Sequence, residues 1–220
     1  MKLSVVVPAF NEAPTIAAVL RRIAEVDIDK EIIVIDDRST DDTTGEIERA
    51  NVAGVRVIRH PMNRGKGAAV RTGLDHATGD VVVIQDADLE YDPTDFLRLI
   101  EPIRTGECRV VYGYRDLSSQ VFFNRLGNRF LTLVTNILFG VALRDMETCY
   151  KMWVRSVLDG VRLKSDAFDI EVELTATFIR LGERIVQIPI AYQAREAKKL
   201  QPWRDGPEAL WKLFKHRFRL

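Results

Sequence analysis

Two cysteines, Cys108 and Cys149, are all the chain has, and they stand far apart. A pair of thiols makes neither a disulfide framework nor a zinc cluster of spaced pairs, so a reduced, cytoplasmic setting is expected. Charge of one sign is also lacking, since 32 acidic residues balance 32 basic ones over 220 residues. A chain with no net charge has no global pull on nucleic acid, so no such partner is expected and any basic patch must be local. Long apolar runs are missing. The nearest approach, 130–143, is interrupted by Thr132, Thr135 and Asn136, whereas a spanning helix needs ~20 apolar residues. No basic stretch followed by an apolar segment precedes Lys2-Leu3-Ser4, so no secretory signal is read. The spacing of neither nucleotide loop, G-x-x-x-x-G-K-[ST] nor G-x-G-x-x-G, occurs around Gly65 and Gly67.

What is present is alternation. Leu3–Val7 is a continuous apolar run ended by Pro8, as suits a strand buried on both faces. Asn11 then offers a helix cap, with Pro14 in the first turn and Ile16, Val19, Leu20 and Ile23 at helical spacing. A second run, Glu31–Ile35, ends in Asp36-Asp37, and Ser39 or Thr40 caps a helix through about Arg49. Val55–Ile58 and Val81–Ile84 are further strands, with a helix Lys66–Ala77 between them. This β-α-β-α-β-α-β order predicts a parallel sheet flanked by helices on both faces. Beyond it, helices are expected over Pro93–Ile103, Val121–Phe139, Asp169–Leu181 and Glu208–Phe218, and strands over Arg109–Tyr114, Cys149–Val154 and Arg184–Ile190. No repeat or linker divides the chain, so residues 1–220 are read as one domain.

Ligands of such sheets bind beyond the carboxyl ends of the strands. Those ends carry Pro8 to Glu12, Asp36-Asp37 and Asp86 to Glu90. Asp86 and Asp88 are one residue apart at a strand end and can hold one hard divalent cation, Mg²⁺ or Mn²⁺, which keeps waters and phosphate oxygens in its shell. Asp36 and Asp37 can accept hydrogen bonds from a base or ribose, or cap a helix, a task that Asp41 and Asp42 fit better. In Asn63-Arg64-Gly65-Lys66-Gly67 the glycines would let backbone approach a ligand at a helix start, with Lys66 meeting a phosphate or base.

In this order, Val5-Val6-Val7-Pro8-Ala9-Phe10-Asn11-Glu12, Val34-Ile35-Asp36-Asp37, Asn63-Arg64-Gly65-Lys66-Gly67 and Asp86-Ala87-Asp88-Leu89-Glu90 resemble the family 2 inverting glycosyltransferases of GT-A fold, and within them the dolichyl- and polyprenyl-phosphate sugar transferase branch. The resemblance implies a Rossmann-like, mostly parallel α/β sheet. Residues 1–114 would be a nucleotide-sugar half and 115–220 an acceptor half. It implies that Pro8, Ala9, Phe10, Glu12, Asp37, Lys66, Asp86 and Ala87 bind the nucleotide sugar, and that Asp86, Asp88 and Glu90 hold Mg²⁺ or Mn²⁺. Arg195 and Lys198, with Trp203 and Arg204, resemble a cationic loop that closes over the diphosphate. Asp145-Met146-Glu147-Thr148-Cys149-Tyr150-Lys151 resembles the acceptor-side segment D-x-x-S-G-F-[KR], with Thr148 and Cys149 in place of Ser and Gly. Phe168 to Leu174 resembles the segment with the catalytic acid pair.

The expected reaction is metal-dependent inverting transfer of a hexose, from UDP-glucose first and GDP-mannose second, to a polyprenyl phosphate or a sugar hydroxyl. A hydroxyl acceptor needs a base, for which Asp145 and Glu171 are favoured over Glu147 and Asp169. Arg125 and Arg129 share a helix face and, with Arg115, could bind an acceptor phosphate. The tail from Leu210 to Arg219 mixes aromatic and basic residues, as interfacial helices do, so contact with the inner face of a membrane through it is an expectation. A sugar nucleotidyltransferase is the first rival, but it would carry a basic glycine-rich loop after the first strand, where Pro8-Ala9-Phe10-Asn11-Glu12 stands. A degenerate nucleotide-binding module is the second.

Overall fold

A computed structural model of the chain describes residues 1–117, 122–167, 169–194, 210, 211, 213–215 and 217, with the side chains of 122–124 left aside. Seven strands form one sheet. They are β1 (Leu3–Ala9), β2 (Lys30–Asp36), β3 (Val55–Arg59), β4 (Val81–Ile84), β5 (Val110–Arg115), β6 (Lys151–Val154) and β7 (Ile185–Ile190), in the order β3-β2-β1-β4-β6-β5-β7. β1 pairs in parallel with β2 and β4, β2 with β3, and β5 with β7. β6 alone runs antiparallel, wedged between β4 and β5. The mostly parallel α/β reading therefore holds.

The main helices are α1 (Ile16–Glu25), α2 (Thr43–Ala50), α3 (Lys66–His76), α4 (Phe96–Leu99), α5 (Glu101–Arg104), α6 (Phe122–Phe139) and α7 (Ile170–Arg180). Neighbouring residues of a strand point to opposite faces. On β2, Ile32 and Val34 join the main core with Ile16, Val19, Leu20 and Ile23 of α1. Ile33 and Ile35 join a second cluster with Ala69 of α3. α1 and α3 thus cover opposite faces of the sheet. A third cluster unites Leu131 of α6 with Leu143, Met146, Val172 of α7 and Leu213 near the C-terminus.

Some boundaries depart from the sequence reading. α1 starts at Ile16 behind Thr15, so Asn11 is not its cap and Pro14 lies ahead of it. Asn11 instead uses its Oδ1 to accept the Thr40 N–H at 2.7 Å. α2 starts at Thr43, later than Ser39 or Thr40 would start it, and Asp41 Oδ1 accepts the Thr43 N–H at 3.1 Å. The expected helix over Pro93–Ile103 is a 3-10 turn, Pro93–Asp95, followed by the short α4 and α5. Pro102 lacks the N–H that would continue one helix through Ile100.

Candidate active site

The β1–β4 ladder runs only from Leu3↔Val81 to Val6↔Ile84, while β1 stays paired with β2 out to Ala9↔Asp36. Pro8, which has no N–H to give, stands where β4 has already left the ladder. The strand order also reverses here, with β2 and β3 on one side of β1 and β4 on the other. A crevice at such a switch point is where open α/β sheets take ligands.

Three loops border it, and each contains a non-glycine residue with left-handed backbone: Asn11 (φ 53°) after β1, Arg38 (φ 65°) after β2 and Leu89 (φ 62°) after β4. Such strain of about 1–3 kcal/mol per residue persists only where surrounding bonds fix it. Here the Asn11 N–H donates to Ser39 Oγ at 3.0 Å, the Glu12 N–H to Thr43 Oγ1 at 2.9 Å and the Ala13 N–H to Asp41 Oδ2 at 3.1 Å. Thr15 Oγ1 then donates to the Ala87 carbonyl at 2.7 Å and lies 3.0 Å from Glu12 Oε2. The three walls are therefore joined before any ligand arrives.

Asp36 and Asp37 divide their work. Asp36 is fully buried and spent internally. It accepts the Ser39 N–H at 2.8 Å and the Thr44 hydroxyl at 3.0 Å, and it pairs with Arg59 Nε at 3.0 Å. Asp37 accepts the backbone N–H of Arg64 at 2.9 Å and of Gly65 at 2.7 Å, and meets His60 Nδ1 at 2.6 Å. His60 Nε2 lies 2.9 Å from Thr72 Oγ1. Asp37 thus holds the loop that presents Lys66. The sequence reading missed His60 and Thr15. His60 had a signal, as one of three histidines and two residues beyond the strand expected over Val55–Ile58.

The two loop glycines have a different reason than expected. A Cβ on Gly65 (φ 90°) would collide with the Asp166 carbonyl oxygen, and one on Gly67 with that of Ser165. The close approach is to the chain's own 165–166 backbone, from which Asp166 O accepts the Gly67 N–H at 2.9 Å.

Lys66, at the start of α3, places Nζ 2.7 Å from Asp86 Oδ1 and 3.2 Å from Glu171 Oε1. Burial works against its charge, but Asp86 and Glu171 beside it outweigh that and hold the ammonium well above the usual lysine range. Glu171 meets a second cation through Oε2, Lys151 Nζ at 2.5 Å, and Lys151 also donates to the Met146 and Thr148 carbonyls. Asp86–Lys66–Glu171–Lys151 is a ladder of alternating charge from the β4 end to the buried start of β6.

Asp88 stands outside this ladder. Burial, followed by the charges of Asp86, Glu90 and Glu12, pushes its carboxyl up to about 7. Glu90 accepts the Tyr192 hydroxyl at 2.9 Å. Among the described residues no three His, Cys, Asp or Glu side chains form a ready cage for a metal. Crowded carboxylate oxygen with too little positive charge is nonetheless the donor chemistry a hard divalent cation takes, with waters and phosphates filling the remaining positions. The chemistry of these side chains fits such an ion.

Where the resemblance implies an acceptor side, Arg115 and Asp145 face each other in the interior, with Nε–Oδ2 at 2.7 Å and a second guanidinium N–H to Oδ1 at 2.9 Å. Arg125 and Arg129 lie one turn apart on α6, less buried than Arg115, so the three guanidinium groups do not share one exposed surface. Glu147 is pushed up to about 7, by burial first, and its Oε1 is buried without a hydrogen-bond partner. Arg195, Lys198, Trp203, Arg204 and Phe168 lie outside the described residues. Near the C-terminus, Leu213 is buried while Trp211 is exposed. No helix among the described residues is long and apolar enough to cross a membrane.

The model of one family, described as Glycosyl transferase family 2, matches residues 4–158. The chain belongs to glycosyl transferase family 2. Among curated relatives it is 31% identical to the glycosyltransferase AglJ of Haloferax volcanii, over 92% of this chain and 67% of that protein. It is 28% identical to an undecaprenyl-phosphate 4-deoxy-4-formamido-L-arabinose transferase of Sodalis glossinidius, over 89% of this chain, and spans 61% of that protein's length. Among solved structures, glucosyl-3-phosphoglycerate synthase from Mycobacterium tuberculosis with Mn²⁺, UDP and glucosyl-3-phosphoglycerate superposes with a TM-score of 0.80. The match is 28% identical and covers 98% of this chain and 79% of that one. These neighbours share the GT-A fold expected of the family.

Proposed function

We propose that this chain transfers a hexose, with inversion, from a nucleotide diphosphate sugar to the phosphate of a polyprenyl phosphate, using Mg²⁺ or Mn²⁺. UDP-glucose is the first donor to test and GDP-mannose the second. The observation that carries the reading is Lys66 against Asp86 at the sheet's switch point, beside the crowded Asp88. A divalent ion held there by Asp86 and Asp88 would offset the charge of the leaving diphosphate. Lys66, next to it, adds a second positive charge on that side. Pro8, Ala9, Phe10, Glu12 and Ala87 line the crevice for the nucleotide. Glu90 joins the metal's surroundings through its proximity to Asp88. Arg195 and Lys198 belong to the closing loop of this reading.

The carboxylates on the acceptor side favour a phosphate nucleophile. Asp145 is bound at both oxygens by Arg115, and Glu171 is held between Lys66 and Lys151. Both carboxylates are thus spent on cations of the chain itself. A phosphate acceptor arrives already anionic and needs no base. Arg125 and Arg129 of α6 are the candidates for recognising it, while Arg115 is bound to Asp145 in the interior. The relatives include a dolichol-phosphate mannosyltransferase of Pyrococcus furiosus, 28% identical over 100% of this chain and 64% of that one. Such an acceptor places the protein at the inner face of a membrane, with the C-terminal helical residues as one contact.

One observation favours a second reading. Glu147, pushed up to about 7, has the proton affinity of a general base for a sugar hydroxyl. Release of UDP or GDP is measured with Mn²⁺ and undecaprenyl phosphate, and again with hydroxyl acceptors. Transfer to the lipid phosphate that survives Glu147→Gln supports the first reading. Transfer to hydroxyl acceptors alone, lost in Glu147→Gln, replaces it with the second. Release of pyrophosphate instead would point to a nucleotidyltransferase.

A further inference from the structure

α6 is apolar on two sides. Its inner side packs Leu131 into the third cluster with Val134 and Leu138 against it, and Thr135 is buried, with its hydroxyl bonded to the Leu131 carbonyl at 2.8 Å. Its outer side carries Leu126, Phe130, Leu133 and Ile137, exposed by 55%, 52%, 56% and 72%. These positions follow one another at four, three and four residues, so they stack on one stripe of the helix. Single exposed apolar residues need no explanation, but four large ones on one stripe mark a contact surface.

The charges around the stripe select the occupant. α6 contains Arg125 and Arg129 and no acidic residue over its eighteen positions. Near the C-terminus Lys215 and Arg217 are exposed, and Arg217 Nε donates to the Leu138 carbonyl of α6 at 2.7 Å. A protein partner would tolerate charge of either sign. An apolar stripe on a helix whose charged residues are all cations, with Lys215 and Arg217 exposed near it, fits the boundary of a bilayer that carries anionic lipid.

We propose that the outer stripe of α6 lies in the surface of an anionic lipid bilayer, with Leu126, Phe130, Leu133 and Ile137 entering the acyl boundary. This rests on the lipid-phosphate reading for its purpose, and it moves the main contact from the C-terminal helix to α6. The stripe is on the same helix as Arg125 and Arg129, so seating it brings those cations to headgroup depth.

The test uses the full chain and vesicles of phosphatidylcholine, with and without phosphatidylglycerol. Leu133→Glu/Ile137→Glu is expected to lower co-sedimentation with the mixed vesicles about tenfold. Its far-UV spectrum and its turnover with a short, water-soluble prenyl phosphate should stay unchanged. A second measurement places a polarity-sensitive fluorophore on Ile137→Cys, which is selective because Cys108 and Cys149 are both buried. Its emission should shift to the blue with mixed vesicles. Equal sedimentation of the variant, or no blue shift, overturns the inference. So does loss of a wild-type dimer in the double variant, which would make a second copy the occupant. Vesicle binding that depends on the stripe, without any transfer to the soluble prenyl phosphate, would keep the inference and remove the lipid-phosphate reading.

Discussion

Lys66 Nζ lies 2.7 Å from Asp86 Oδ1, so a lysine from a helix start and an aspartate from a strand end, twenty positions apart, share one proton-rich contact. The pair forms where β1 and β4 part. If Lys66 faces the leaving diphosphate as proposed, Lys66→Met should lower donor turnover by about 100-fold or more, because a preorganised charge is lost. Lys66→Arg should recover only part of it, since a guanidinium is broader than the slot between Asp86 and Glu171. Steady-state kinetics of nucleotide release measure both, and wild-type turnover in Lys66→Met would refute the role.

Asp88 carries the clearest expectation for the metal. Asp88→Ala should abolish the Mn²⁺-dependent rise in melting temperature as well as metal-dependent turnover, while the metal-free melting temperature stays level or rises. The rise follows from relief of the crowding by Asp86, Glu90 and Glu12. Thermal shift with and without Mn²⁺ reads this directly. An undiminished Mn²⁺ shift in the variant would place the ion elsewhere.

Much of this could be read from the residues. Apolar runs ending in Pro8, Asp36-Asp37 and Asp86-Ala87-Asp88 announce strands whose ends face a site, and the parallel half follows from their alternation with helices. The exceptions have physical causes. Lys151 reads in the sequence only as the end of the D-x-x-S-G-F-[KR]-like segment, because polar residues are sought at the ends of strands and β6 is reversed, bringing its start to the site's edge. Asp145 and Arg115, which the sequence presents as separate candidates, are thirty residues apart and pair with each other, a partnership that no local pattern encodes. Gly65 and Gly67 read as phosphate-loop residues because chain-to-chain approach and chain-to-ligand approach make the same demand on a side chain.

The Arg115–Asp145 pair is buried on both sides, so cutting it should be costly. Arg115→Met and Asp145→Asn should each destabilise by about 3–5 kcal/mol, since each leaves an uncompensated or poorly bonded partner in the interior. The double variant should cost clearly less than the sum, as coupled partners do. Denaturant unfolding of the four proteins closes the cycle. Additive costs would show that the two residues act separately.

Glu147 sets a pH dependence. Its folded carboxyl is pushed up to about 7 from an ordinary value of 4.5, by burial first. Between these values the folded chain binds more protons than the unfolded one, so this group's contribution to stability falls as pH rises from about 4.5 to about 7. Glu147→Gln removes the titration. It should match wild type near pH 4.5 and gain on it by roughly 1–3 kcal/mol at pH 8. Melting curves across that window test the sign, and a wild-type advantage that grows with pH would contradict it.

Gly67→Ala should disturb Lys66 from a distance. Its added methyl meets the Ser165 carbonyl oxygen, and the helix start must shift to make room. We expect a loss of about 1–3 kcal/mol in stability, with reduced donor turnover. An alanine variant as stable and active as wild type would mean that the 165–166 backbone yields freely.

Because β4 leaves β1 at Val6 while β2 stays with it to Ala9, the crevice is a notch cut into the framework itself. Its width is inherited from strand lengths, and its borders, residues 10–13, 38–43 and 87–90, are separate short stretches. Evolution or a designer could therefore exchange these edges one at a time to favour another ligand, while the notch itself stays as it is.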